Sequence, residues 1–310
     1  MSYMVIGGTG HVGSHIVRKL VDEGLDVIAL SRSGDSSRLT DVLARIKIAR
    51  GDVRELRDVI DAIKRYDVRY IVYSAAEHPW AWTPSSVVDV MIKGFVNVLE
   101  AARLMDVEKT VWTSSYAQLG PPHLYSKPRI NEDDPVKPGV IHGTSYVVNE
   151  FMANYYAEHY GLDVLGLRIG LIFGPGRERR GFGDILVDLF ENPVLGRPVR
   201  VPKADSVITP QYVKEAANVV WIGLKARGYK RRIYNTCDEA VSYRQMAEWV
   251  KELIPDAQIE LEPGEETPRA LVDASRFREE FNYKPLFSVR DGVIDYINHL
   301  RATLLGGREN

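Results

Sequence analysis

His142 and Tyr146 stand four positions apart in the run "KPGVIHGTSYVVNEFMANYY" (137–156). On a helix that spacing brings an imidazole and a phenol to one face, one turn apart. An imidazole, with a pKa near ~6.5, gives and takes protons close to neutrality, whereas a phenol near ~10 needs help from its surroundings before it can act as a base. Either group suits proton transfer to an alcohol or ketone, and the spacing leaves the choice open. A second set lies near the amino terminus, where Gly7, Gly10 and Gly13, with Thr9, His11 and Val12 between them, follow an apolar run and open an amphipathic one. Glycines there allow a tight turn and close backbone approach, and a helix N-terminus offers N–H groups and a positive dipole end to a pyrophosphate. The strand before it and the helix after it point to a dinucleotide rather than a mere tight turn, although the spacing is GxxGxxG, not GxGxxG.

The next apolar run ends "IALSRSGD", where a site for NAD usually places a carboxylate for the ribose 2′-hydroxyl. Ser31 and Arg32 stand there instead. A guanidinium suits a 2′-phosphate, which favours NADP(H) over NAD(H); the alternative is an Arg32 stacked on adenine or facing solvent. Asp52 and Val53, in "GDVRELRDV", are placed to line the adenine ring.

These groups need a frame. Short apolar runs at 3–7, 26–31, 46–50, 69–76, 109–114 and 163–170 alternate with amphipathic stretches near 12–24, 55–66, 84–106 and 144–160. Strands rich in Val, Ile and Leu with little polar alternation fit a sheet buried on both faces. The pattern predicts an α/β, Rossmann-like doubly wound parallel sheet. Beyond "GLIFGPGRERRGFG" the alternation weakens. We expect a dinucleotide-binding domain over 1–170 and a smaller mixed substrate lobe over 171–310, with 207–236 returning to the first domain. In the tail, 211–226, 242–254 and 288–305 read as helices and 231–236 as a strand; Ser242 and Ser288 are placed to cap.

Composition narrows the class. The 310 residues carry 26% charged side chains and a formal net charge of −2, which gives no reason to expect nucleic acid or an anionic membrane as partner. The basic run "KARGYKRR" (225–232) reads as a solvated helix end. Cys237 is the single cysteine, so no intramolecular disulfide forms and no metal site is expected. No apolar run approaches the ~20 residues of a membrane span, and a cytoplasmic location is expected.

Taken in order, "GGTGHVGSHIVRKL", "GDVRELRDV", "IVYSAA", "GFVNVLEAAR", "VWTSSYAQLG", "YGLDVLGLRIGLIFGPG" and "LVDASRFREEFNYKPLFSVRDGV" resemble the extended short-chain dehydrogenases/reductases, the NAD-dependent epimerase/dehydratase family. Members bind NAD(P) in the N-terminal domain and a substrate, commonly a nucleotide-linked sugar, between it and the C-terminal lobe. The resemblance implies that the glycine loop carries the pyrophosphate and that Ala75 and Ala76 lie along the cofactor. It implies too that Ser115, chosen over Ser114 for its spacing to Gly120, holds the substrate hydroxyl or carbonyl.

The family's catalytic helix reads YGxSK. Set against "HGTSY", it matches Gly143 and Ser145 and keeps Glu150, Gly161 and Leu162 in their places. His142 then stands where the family has Tyr, and Tyr146 where it has Lys. In this register His142 is the acid/base, with Tyr146 bonding the ribose or orienting the imidazole. The other readings are Tyr146 as the base, with Glu150 in the Lys position, and a cofactor-binding protein without oxidoreductase activity. Met91, Leu171, Gln211 and Tyr212 also replace polar family residues, which suggests a more apolar pocket. Arg177, Arg179 and Arg180 are candidates for a substrate phosphate, and Trp80 or Trp82 for a pocket wall. The resemblance implies hydride transfer at a secondary alcohol or carbonyl of a sugar or sugar nucleotide. Net reduction of a less polar ketone or aldehyde by NADPH is the alternative. Relatives commonly pair, and the 84–106 helix has an apolar face that would suit a homodimer, though burial against the sheet explains it as well.

Overall fold

The computed structural model describes residues 1–77, 83–178, 183–267 and 269–305. Five strands, β1 (Ser2–Ile6), β2 (Asp26–Ser31), β3 (Ile46–Arg50), β4 (Val68–Tyr73) and β5 (Lys109–Ser115), join Val164–Ile169 and Ile233–Asn235 in one seven-stranded sheet. All pair parallel, in the order 233–235, 164–169, β5, β4, β1, β2, β3. The chain direction across the sheet reverses at β1, with β2 on one side and β4 on the other, so a crevice opens at its carboxyl end.

Side-chain parity builds the two faces. Met4 and Ile6 of β1 pack with Ile28, Leu30, Val98, Leu99 and Ala153, while Val5 packs with Val27, Ala29, Ile16, Leu20 and Val220. Helix α1 (His11–Asp22) and the helix Val213–Lys225 therefore cover one face. Helix α2 (Leu56–Tyr66) and the helices Gly94–Leu104 and Ile141–Tyr160 cover the other. A separate core around Phe173, Phe190, Tyr212, Met246, Val250 and Ile297 holds the C-terminal lobe.

The helix starts follow the expected chemistry: Ser242 Oγ accepts from the Gln245 N–H at 3.1 Å, and Ser288 forms a capping box with Asp291. Several boundaries differ. The fourth strand stops at Tyr73, leaving Ala75 and Ala76 in the loop beyond it. The 211–226 segment begins as a short strand, Pro210–Tyr212, paired with Leu171–Phe173, and turns helical at Val213. The 84–106 helix contains a π segment, Val88–Lys93. Two carbonyls of that segment, Val90 and Met91, accept from Tyr73 Oη at 2.9 Å and Asn149 Nδ2 at 2.8 Å. The apolar face of this helix is buried against the sheet through Phe95, Val98 and Leu99; the exposed aromatics belong to Ile141–Tyr160 instead. No helix among the described residues is long and apolar enough to cross a membrane.

Candidate active site

The glycine loop sits in the crevice at β1. Gly7 has φ +80°, and a β-carbon on it would lie 2.8 Å from the Ala75 backbone. A β-carbon on Gly13 would lie 2.0 Å from the Gly7 carbonyl oxygen. The loop closes only with glycine at both positions, and the closure brings Ala75 against it. Gly10 caps α1 without any side-chain hydrogen bond, and the first turn of α1 carries no acidic residue. A helix start without its own acceptor or anion, behind a turn cleared of β-carbons, fits the pyrophosphate of NAD(P). Thr9 and Val12 lie at this start, partly exposed, and Ala76 is exposed beyond β4.

His11 and His15 lie under the loop, their rings edge-on at 6.1 Å. Burial pushes His11 down to about 3, with the charges of His15, Arg177 and Arg38 adding to it. It pushes His15 down to about 4, against a 3.0 Å hydrogen bond to the Pro175 carbonyl. Both imidazoles are therefore neutral, and they dock the Pro175–Gly176 turn onto the cofactor loop.

At the end of β2, Ser31 Oγ accepts from the Gly34 N–H at 3.1 Å and the Ser31 carbonyl from the Gly51 N–H at 3.1 Å. Arg32 leaves this turn largely exposed, its Nη1 4.0 Å from Glu77 Oε1. Arg54 binds both carboxylate oxygens of Asp52, at 2.5 to 3.0 Å, and holds that carboxyl below its usual range. Val53 is buried, with its side chain where a β-carbon on Gly94 would fall.

The two serines ending β5 face different tasks. Ser114 Oγ donates to Glu150 Oε1 at 2.8 Å, inside a buried cluster in which Gln118 Nε2 and both Arg168 Nε and Nη2 also donate to Glu150 at 2.6, 2.8 and 2.7 Å. Ser115 lies at the strand end, and its Oγ accepts from the Ala117 N–H at 3.0 Å. A hydroxyl oxygen that accepts from the backbone keeps its own proton to donate.

The first turn of the Ile141–Tyr160 helix rests on that same corner. A β-carbon on Gly143 would lie 2.3 Å from the Ala117 carbonyl oxygen, so glycine lets the helix start press on the Ser115–Ala117 turn. His142 is half-buried, and its ring meets Tyr146 edge-on at 5.0 Å. Tyr146 lies over Trp112 at 6.4 Å, and burial pushes its phenol well above the usual range. Ser145 Oγ donates to the His142 carbonyl at 2.8 Å and steadies the turn.

The other expected residues have framework contacts. Arg177 follows the turn at Gly174 and Gly176, and its Nη1 donates to the Ile172 carbonyl at 2.7 Å. Met91 is buried beneath Ser145, with the Ser145 hydroxyl 3.6 Å from its sulfur, and Leu171 belongs to the lobe core. Gln211 Oε1 accepts from the Gly170 N–H at 3.0 Å, and the buried Tyr212 donates to Asp295. Trp80, Trp82, Arg179 and Arg180 lie outside the described residues. Glu77, His15 and the Glu150 cluster are the features that reading for motifs missed. Their signal was present as polar residues in apolar surroundings and as a His pair at i, i+4.

A family model described as the NAD dependent epimerase/dehydratase family matches residues 3–237. A putative UDP-glucose 4-epimerase of Methanocaldococcus jannaschii is 25% identical, over 96% of this chain and 98% of the relative. A UDP-glucose 4-epimerase of Mycolicibacterium smegmatis is 26% identical over 97% and 99%. Among solved structures, the Thermus thermophilus UDP-glucose 4-epimerase in complex with NAD superposes with a TM-score of 0.84 at 23% identity, covering 98% of this chain and all of that one. A holo L-threonine dehydrogenase of Cupriavidus necator gives 0.85 at 22% identity, over 97% and 100%. With three quarters of its length under the family model, from the glycine loop to the last strand of the sheet, the chain belongs to the NAD dependent epimerase/dehydratase family.

Proposed function

We propose that the chain oxidises and reduces a secondary alcohol or carbonyl of a sugar or nucleotide sugar, with Ser115 holding the substrate oxygen and His142 moving the proton. The observation that carries this reading is the contact of Gly143 with Ala117, which seats the His142 turn directly on the Ser115 corner. A nicotinamide held beyond the glycine cradle would supply the hydride acceptor and donor. Ser115 keeps its hydroxyl proton for the substrate oxygen, since its Oγ already accepts from the Ala117 N–H. The substrate hydroxyl proton passes to a ring nitrogen of His142 on oxidation and returns on reduction. Tyr146 stays a neutral phenol, because burial opposes its ionisation, and holds the imidazole edge. The nucleotide-sugar class rests on relatives named for UDP-glucose.

His142→Ala should lower kcat by about 10²- to 10⁴-fold, the usual worth of a positioned acid/base. Tyr146→Phe should cost far less and leave the pH profile in place. The reverse outcome would assign the proton to Tyr146. The second reading, net reduction by NADPH, is favoured by the exposed Arg32 at the end of β2. An epimerase turns over without added reduced cofactor, whereas a reductase consumes NADPH mole for mole. The cofactor reading is NADP(H) ahead of NAD(H), and the assembly a homodimer through the Ile141–Tyr160 helix.

A further inference from the structure

Arg32 and Glu77 belong to the loops after β2 and β4, the two neighbours of β1. Their contact therefore passes over the carboxyl end of β1, where Gly7 bonds back to Leu30 through its N–H at 2.9 Å and Ser74 to Ile6 at 2.9 Å. On the dinucleotide reading, this crest lies between the glycine loop and Asp52, where an adenosine would run. Four further charges bear on the place: Asp52, Arg54, Arg50 and Asp89. They are not equivalent. Arg54 is held by three hydrogen bonds of 2.5 to 3.0 Å to Asp52, a bidentate pairing that a ligand would have to break. Arg50 directs its Nε to the Arg32 carbonyl at 3.2 Å and so fixes the turn. Among the described residues Arg32 is held by a single 4.0 Å approach, with 59% of its side chain in solvent against 11% for Glu77. Of the two arginines beside Asp52, Arg32 has the weaker carboxylate partner, and its guanidinium is the one an incoming phosphate can take over.

Resting on the dinucleotide reading above, we propose that Glu77 is a specificity-determining residue: its carboxylate competes with the 2′-phosphate of NADP for Arg32 and repels that phosphate, so that the Arg32–Glu77 pair sets the ratio of NADP to NAD affinity. Arg32 alone would make a site for the phosphorylated ribose. Glu77, the more buried partner, draws the site back toward NAD. Both cofactors then bind, and the balance lies in one side-chain pair spanning two strands.

The test is binding, read by titration calorimetry with NADP⁺ and NAD⁺ on the intact chain. Glu77→Gln should raise the NADP⁺ to NAD⁺ affinity ratio by about five- to tenfold, the scale of an exposed ion pair and a like-charge repulsion. Arg32→Gln should lower the ratio. In the double variant the effect of Glu77→Gln should shrink by the part that passes through Arg32, leaving only the direct repulsion of the phosphate. Circular dichroism of each variant confirms that it folds, and Glu77→Asp should restore most of the wild-type ratio. An unchanged ratio in Glu77→Gln, with both dinucleotides still bound, overturns this proposal and leaves the dinucleotide seat intact. Full additivity of the two substitutions overturns it as well. Binding of neither dinucleotide to the wild type removes the reading it rests on, and this proposal with it.

Discussion

At the scale of single residues, the glycine loop is supported from beneath by two neutral imidazoles, and acid should undo that support. His11 and His15 titrate near about 3 and 4 in the folded chain and near ~6.5 when unfolded. Between those values the unfolded chain binds more protons, so their contribution is whole above pH ~6.5 and is lost as pH falls toward 4 and then 3. Each histidine can add up to ~1.4 kcal/mol per pH unit to that slope. Urea unfolding between pH 7 and 4.5 should therefore show a steep loss of stability, and His11→Phe should flatten it. Equal slopes for wild type and variant would show that the carboxylates alone carry the acid lability.

At the scale of elements, one carboxylate joins three of them. Glu150 lies on the Ile141–Tyr160 helix and receives bonds from Ser114 of β5, from Gln118 in the turn after it, and from Arg168 of the Val164–Ile169 strand. Ser115 and His142 are one residue and two helical turns from this cluster, so its geometry becomes theirs. Removing one partner of a buried ion pair leaves an uncompensated charge, a loss of ~3–5 kcal/mol. Glu150→Gln should lower the urea midpoint accordingly and reduce kcat, while the paired replacement Glu150→Leu with Arg168→Met should recover much of the stability. A midpoint unmoved by Glu150→Gln would mean that the helix is held by its apolar face alone.

At the scale of the whole molecule, the Ile141–Tyr160 helix does two jobs with two faces. Ser145, Tyr146, Asn149, Glu150 and Ala153 turn inward to the site and the sheet. Phe151 is 67% exposed, and Tyr155, one turn on, is 39% exposed and stacked on His159 at 3.9 Å. Aromatic residues presented together in this way would suit the homodimer proposed above. A second copy placed against its own equivalent would bury them with twofold symmetry. Light scattering should give a dimer for the wild type and a monomer for Phe151→Asp, with little change in the folded protomer. A wild-type monomer at micromolar concentration would remove the homodimer.

The sequence by itself determined the parts of this protein that depend on neighbours in the chain. Consecutive apolar residues such as Met4, Val5 and Ile6 suit a strand covered on both faces, Gly7 and Gly13 a turn closed on itself, and Ser242 and Ser288 helix starts. The order of such elements is enough for a doubly wound sheet with a phosphate cradle at its first turn. What only the tertiary structure decided are relations between residues far apart in the chain. Ser114 parts from Ser115 because Glu150, 36 residues on, takes the first hydroxyl. Arg177 turns inward to a carbonyl, and Arg32 meets an acid from the loop after the strand on the other side of β1. The lobe is tied by strands of two or three residues, such as Val199–Val201 with Ile259–Leu261, too short to show a period. Periodicity and turn chemistry are local, whereas partner choice and burial arise only when distant segments share one space.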